Sequence, residues 1–207
     1  TPPGGLHPAA EVPTGAIVLV VTPEGSGTGV VLGPQRQVLT SWHLIDGHSS
    51  VLIVRRGSDG LPDLGNAQRA KVERFNVFSD LALLTPPLGF GGDYLELAAA
   101  TTLPKTGTQV HVLSHDRRQL WRHDLAIIVQ LKSEHSWFSG NNMIHRAPAL
   151  RLQMATPPAL DGAPILNADY QLIGLQVDNG RGAVTAVAPS AIHAFLGAAS
   201  PGAKASR

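Results

Sequence analysis

The chain has 207 residues, of which 43% are hydrophobic and 15% are charged, so it can bury one sizeable core or the cores of two small subdomains. Its formal net charge is +1 with the basic residues scattered, which argues against a nucleic-acid partner. The absence of cysteine excludes disulfides and cysteine-based zinc or redox centres, and no apolar run approaches the ~20 residues of a membrane span.

The first half of the chain predicts short β-strands. Residues 1–13 are rich in proline and glycine and are predicted to form a flexible tether. An apolar run at 16–21 predicts a buried strand, and the glycine-rich stretch 25–29 predicts a tight turn, since Gly33-Pro34 forbids the helix that a phosphate-binding loop needs. A strand from residue 38 ends in a turn that carries a histidine, and further strands are predicted at 51–54, 71–75 and 81–84.

The second half of the chain continues the same pattern after a crossing that begins near residues 88–93. Strands are predicted at 109–113, 125–131, 150–154, 165–166, 172–177 and 183–187. Residues 189–196 have apolar positions at helical spacing, with proline near the first turn and glycine after the end. Strands without intervening amphipathic helices indicate a β-sandwich or β-barrel, followed here by one short C-terminal helix and a disordered tail at 201–207.

Three segments occur in an order that identifies a family. They are GSGTGVVL at 25–32 with LTSWH at 39–43, then SDLALL at 79–84, then TPPALDGAPILNADYQLIGL at 156–175. They resemble the trypsin-like serine proteases, especially the HtrA type, whose corresponding segments read G-S-G-S-G, L-T-x-x-H, D-L-A-L-L and G-x-S-G-G-P. The stretch AVAPS at 186–190 is similar to the family's entry into its closing helix.

The resemblance implies an all-β fold of two antiparallel six-stranded β-barrels with the active site in the crevice between them. The first barrel is expected at 14–92, and the second, with the C-terminal helix, at 93–200. His43 takes the position of the general base, Asp80 that of the residue fixing its tautomer, and Asp161 that of the nucleophilic serine. The resemblance also implies a bacterial periplasmic or extracellular location.

Asp161 interrupts the catalytic scheme. A carboxylate has no proton for His43 to remove and is a poor nucleophile toward an amide. The backbone N–H groups of Ala159 and Asp161 occupy the oxyanion-hole positions, but alanine replaces the family's glycine at 159 and again at Ala163, and Trp42 replaces a small residue. We therefore expect Asp161→Ser alone to restore no hydrolysis, since an oxyanion-hole donor commonly contributes ~2.7 to 4 kcal/mol.

The sequence therefore favours a non-catalytic relative of these proteases that binds a peptide or protein in the inter-barrel cleft, or regulates one. Two carboxylates flanking His43 predict a static charged network. The resemblance places the specificity crevice at Leu175, Gln176 and Val177, where a peptide could pair with the main chain. No cofactor is expected, and no metal at His43, because a protease triad is arranged in line instead of around a common centre.

Two alternatives stay open. The first is an active serine-type endopeptidase, although Ser133, Ser136 and Ser139 are predicted as loop residues instead of a relocated nucleophile. The second is a metal-binding scaffold that uses three histidines predicted to lie on the surface, His111, His115 and His123. Three aromatic residues, Trp121, Trp137 and Phe138, are expected to be core or loop anchors in preference to a ligand platform.

Overall fold

The computed structural model describes residues 11–99, 104–115, 119–139, 142–158, 161–178 and 183–197. Most of the predicted tether, residues 1–10, and the predicted tail at 201–207 lie outside this part of the chain, as does Ala159.

The first six strands close into an antiparallel barrel. They are β1 (Ile17–Val21), β2 (Ser26–Leu32), β3 (Gln37–Ser41), β4 (Ser50–Val54), β5 (Gln68–Asn76) and β6 (Leu81–Thr85). Their order around the barrel is β1-β2-β3-β6-β5-β4. Short 3₁₀ helices occupy Thr14–Ala16, Trp42–Leu44 and Leu64–Asn66.

The remaining six strands close into a second antiparallel barrel. They are β7 (Gln109–Ser114), β8 (Arg122–Phe138), β9 (Ile144–Gln153), β10 (Pro164–Leu166), β11 (Leu172–Asp178) and β12 (Val184–Val187). The order is β10-β11-β12-β9-β8-β7, and helix α1 (Pro189–Gly197) follows the last strand. The predicted fold class, two six-stranded antiparallel barrels with a short C-terminal helix, is confirmed.

Two local predictions were wrong. The glycine-rich stretch at 25–29 is mostly strand, since β2 starts at Ser26. Gly29 lies against side chains of the neighbouring strands β1 and β3, and Gly27 lies against Leu44. Strand β8 runs for 17 residues, well beyond the predicted 125–131, and pairs with β9 as far as Phe138 with Ile144. Its distal half is largely polar and exposed, so hydrophobic alternation did not reveal it. Ser133 and Ser136 consequently lie in a strand and not in a loop.

One hydrophobic cluster joins the two barrels. It contains Ile17, Leu39 and Leu83 from the first barrel, and Leu113 and Leu175 from the second. The connection between the barrels also contacts both sides, because Leu95 bridges to Leu32 and Leu97 bridges to Leu172. The predicted boundary between residues 92 and 93 falls within this connection, which runs from the end of β6 to the start of β7. The barrels are therefore packed directly on each other along the crevice where the site was predicted.

Among the described residues, no helix is both long enough and apolar enough to cross a lipid bilayer.

Gly29 provides a test of the packing in the first barrel. A Cβ atom at this position would lie 2.5 Å from a methyl group of Val38 and 2.9 Å from one of Val20. We expect Gly29→Ala to destabilise the protein by about 1–3 kcal/mol through overpacking. Gly25→Ala is the matched control, because nothing lies within 4 Å of the added atom. Urea unfolding measures both free energies, and equal values for the two variants would contradict this packing.

Candidate active site

The first barrel presents His43 and Asp80 as a hydrogen-bonded unit. His43 lies in the 3₁₀ helix that follows β3, and Asp80 directly precedes β6 with a left-handed backbone, φ 54°. Asp80 is fully buried. Its Oδ1 accepts the backbone N–H of His43 at 2.8 Å, and its Oδ2 is 2.7 Å from His43 Nδ1. Nδ1 therefore carries a proton that it donates to Asp80.

Asp161 lies on the other side of the imidazole. Its Oδ2 is 3.2 Å from His43 Nε2, and its Oδ1 accepts a hydrogen bond from Gln176 Nε2 at 2.5 Å. The Asp161 side chain is 30% exposed and that of His43 only 8%. The structure thus brings together the three residues that the sequence assigned to the triad positions.

The main chain holds Asp161 at this depth in the crevice. The Asp161 carbonyl accepts the Thr28 N–H at 2.7 Å, and the Gly162 N–H donates to the Gln176 carbonyl at 2.9 Å. Gly162 has φ +91°, and a Cβ atom there would lie 2.0 Å from the Thr28 carbonyl oxygen. Only glycine satisfies both conditions, so Gly162 determines how closely this loop approaches the first barrel.

The two carboxylates determine the charge state of His43. Burial disfavours the imidazolium, but hydrogen bonds and charge attraction from Asp161 and Asp80 together outweigh burial and raise the His43 pKa to about 10. The cation donates from both ring nitrogens, one to each carboxylate. A doubly donating imidazolium has no lone pair with which to accept a proton, so His43 in this state cannot act as a general base.

Ala163 and Trp42, which differ from the family's pattern near the site, lie in different environments. Ala163 is fully buried and is not among the described residues with positive φ, so its Cβ atom carries no penalty for a left-handed backbone. Trp42 is 6% exposed and packs against the rings of Phe75 and His145 at centroid distances of 6.2 and 5.8 Å. It therefore lies beneath the crevice as part of the core of the first barrel.

The residues assigned to the specificity crevice are buried. Leu175 and Val177 belong to the cluster between the barrels, and Gln176 is likewise fully buried with its amide on Asp161. The Gln176 main chain is already paired, since its N–H donates to Ala163 and its carbonyl accepts from Gly162. A peptide therefore has no unpaired main-chain groups to meet at Gln176 itself.

A serine–histidine pair lies close by, and its histidine had not been singled out in the sequence. His145 is fully buried and its ring lies 6.3 Å from that of His43. Its Nδ1 donates to the Val77 carbonyl at 2.6 Å, and the Ser139 hydroxyl lies 2.7 Å from its Nε2. The two residues flank the turn between β8 and β9, so only the unforeseen length of that hairpin brings them together.

An apolar groove of about 440 Å³ opens between the barrels beside Ser79. Its walls come from the end of β5 and the turn after it, from β9, and from α1, and include Phe75, Phe78, Arg146, Pro148 and Phe195. Phe75 and Phe78 remain 54% and 76% exposed. Motif matching could not have found this groove, because its residues come from three separate segments.

The histidines and aromatic residues of the second barrel fall into different environments. His115 is fully buried against Thr28 and Trp121, and burial lowers its pKa to about 4, so its predicted surface position was wrong. His111 and His123 contact each other near the surface. No group of three or more potential ligand side chains that could hold a metal ion occurs within the described ranges. Trp121 and Trp137 are core residues, whereas Phe138 is 67% exposed.

Comparison with known proteins agrees with this architecture. No curated protein is significantly similar to the chain in sequence. Among solved structures, the active form of the Rv3671c protease from M. tuberculosis is 19% identical, with 95% of this chain and 85% of that chain covered and a TM-score of 0.73. The MamO protease domain from Magnetospirillum magneticum is 18% identical, with coverage of 90% and 98% and a TM-score of 0.72. At these identities the similarity establishes the fold.

The family assignment rests on the sequence, which matches a known protein-family domain. The trypsin-like peptidase domain matches residues 27–175, a span that includes all three triad positions and most of the chain. The chain therefore belongs to the trypsin-like peptidase family.

Proposed function

We propose that this chain is a non-catalytic member of its family, which binds an unfolded or extended polypeptide between its barrels. The observation that carries the proposal is the contact of 3.2 Å between Asp161 Oδ2 and His43 Nε2. In a working triad that nitrogen accepts the proton of the attacking hydroxyl. Here it faces an acceptor that has no proton to give.

The residues around Asp161 and His43 favour a fixed contact between the two side chains over one that opens during a catalytic cycle. Gln176 holds the second oxygen of Asp161, and Asp80 holds both the ring and the backbone of His43. Hydrogen bonds to ionised groups are stronger than neutral ones, so each contact restrains its neighbours. Asp80, His43 and Asp161 are best understood as a structural ion network that occupies the position of the family's catalytic serine.

The inter-barrel groove supports polypeptide binding. It is mainly apolar, it is lined by the exposed rings of Phe75 and Phe78, and one wall carries Arg146, which is ion-paired with Glu134. Exposed aromatic side chains beside a groove are typical of surfaces that bind protein partners. Because Gln176 offers no unpaired main chain, we assign binding to this groove and not to the predicted crevice residues.

Ser139 supports the second candidate, an active serine-type endopeptidase. Its hydroxyl lies 2.7 Å from Nε2 of His145, and Nδ1 of the same ring contacts the Val77 carbonyl, the arrangement that a nucleophile and its base require. Ser139 is only 8% exposed, however, which restricts the approach of a peptide bond. This burial makes the non-catalytic function the better supported one.

The first test is proteolysis of fluorescein-labelled casein. We expect the unaltered protein and Asp161→Ser to hydrolyse casein no faster than the matched His43→Ala variant, because the first has no hydroxyl at residue 161 and both have alanine where the family has its oxyanion-hole glycine, at 159. Turnover by the unaltered protein would overturn the proposal. Its loss in Ser139→Ala, together with mass-spectrometric labelling of Ser139 by a fluorophosphonate, would establish the endopeptidase instead.

The second test is the titration of His43. Its folded pKa of about 10 lies above the unfolded value of ~6.5, so the network's contribution to stability is fully present below pH ~6.5 and is lost as pH rises through 10. We expect ¹⁵N NMR to show both ring nitrogens protonated at pH 7. Urea unfolding should show stability declining from pH 7 to 10, with a slope reduced in Asp161→Asn. A neutral His43 at pH 6 would contradict the charged network.

The third test addresses the groove. We expect Phe78→Ser to weaken binding of fluorescently labelled, reduced casein about tenfold, because an exposed aromatic anchor at an interface is commonly worth more than 1 kcal/mol. Leu88→Ser is the control, since Leu88 is fully exposed and is not part of the groove lining. Fluorescence anisotropy measures both affinities. Equal affinities for the two variants, or no binding by the unaltered protein, would remove the groove as the binding site.

A further inference from the structure

Two histidines on the outer face of the second barrel form a direct pair. His111 lies on β7 and His123 on β8, where His111 is paired with Leu125 and Leu113 with His123. Residues two apart on a strand share a face, so both imidazoles project to the same side of the sheet. His111 Nδ1 is 2.9 Å from His123 Nε2, and the ring planes are inclined by only 22°.

The pair is preorganised and accessible. His111 is partly exposed and His123 exposed, so an ion can reach them from solvent. The ring of Tyr170, in the turn between β10 and β11, packs against His111 at a centroid distance of 4.7 Å and limits its rotation. Neither imidazole forms an ion pair with a carboxylate among the described residues, and the adjacent Asp124 is held by Arg122. Among the described residues, no carboxylate therefore competes with a metal ion for the ring nitrogens of this pair.

The close contact of the two rings disfavours a charge on both of them. Two imidazolium groups at this separation would repel each other, so at most one proton is shared between the facing nitrogens. Burial and the neighbouring His123 lower the pKa of His111, which favours the neutral ring. Neutral imidazole nitrogen is the state that ligates zinc, copper and nickel.

We propose that His111 and His123 chelate a divalent transition metal ion, with Cu²⁺ bound more tightly than Ni²⁺ or Zn²⁺ and water completing the coordination. Two nitrogens bound at ~2.0 to 2.1 Å and at right angles to each other lie about 2.9 Å apart, whereas a tetrahedral angle separates them by about 3.4 Å. The observed 2.9 Å is the length of a hydrogen bond between the facing nitrogens, and it equals the separation of adjacent positions in a square-planar or tetragonal site. An ion that displaces the shared proton to solvent would meet the geometry that copper and nickel prefer.

The proposed site is independent of the inter-barrel groove and of His43. The nitrogens of His43 are both occupied by carboxylates, and neither His111 nor His123 lines the groove. Failure of the metal proposal would leave the polypeptide-binding proposal unaffected, and the reverse also holds.

The experiment uses the untagged protein and CuSO₄ buffered with glycine. We expect isothermal titration calorimetry to show one Cu²⁺ per chain, with affinity falling at least tenfold in either His111→Ala or His123→Ala. His48→Gln is the control, because His48 is another near-surface histidine, which contacts Glu24 and not a second imidazole. Circular dichroism verifies that each variant is folded.

Electron paramagnetic resonance identifies the ligands directly. We expect nitrogen hyperfine splitting from two imidazoles in the unaltered protein and from one in either alanine variant. The proposal is overturned by any of three results: no stoichiometric binding, binding that His111→Ala and His123→Ala leave unchanged, or tighter binding of Zn²⁺ than of Cu²⁺.

Discussion

The hydrogen bond from the Thr28 N–H to the Asp161 carbonyl connects the two barrels at the centre of the molecule. It is possible only because residue 162 is glycine, with a positive φ and no side chain to strike the Thr28 carbonyl. This contact sets the distance between the loop that carries Asp161 and strand β2 of the first barrel. The geometry of the site thus depends first on main-chain packing and only secondarily on the side chain at 161.

Electrostatics then determines what the assembled site can do. One imidazolium between two carboxylates satisfies every donor of the ring while keeping the buried Asp80 paired. Buried charges are tolerated in proteins when they are paired and hydrogen-bonded in this manner. An arrangement that stabilises the cation so strongly is poorly suited to cycles of proton transfer, which need a base with a pKa near the working pH.

The sequence predicted the fold well because ordered motifs specify topology. The resemblance of these motifs to a known family implied two six-stranded barrels and the meeting of His43, Asp80 and Asp161, and the structure has both. Local backbone geometry was less predictable: Ala163 tolerates its Cβ atom because its φ is ordinary, which residue identity alone does not reveal.

Contacts between distant segments could not be foreseen. Gln176 reaches Asp161 from a neighbouring strand, and His145 meets Ser139 only because β8 extends through polar residues without a hydrophobic period. His115 was expected at the surface but is buried against Thr28 of the first barrel and the ring of Trp121. Such environments arise from packing, and a pattern within one segment carries no information about them.

The left-handed backbone of Asp80 changes how its presence in the sequence should be interpreted. Aspartate and asparagine adopt φ near 54° more readily than most residues, and this carboxylate also secures the backbone N–H of His43. The turn would thus select an acidic or amide side chain here even in a protein that never transferred a proton. The presence of this aspartate therefore follows from the backbone geometry of the turn. It is a poor criterion for distinguishing active enzymes from inactive relatives.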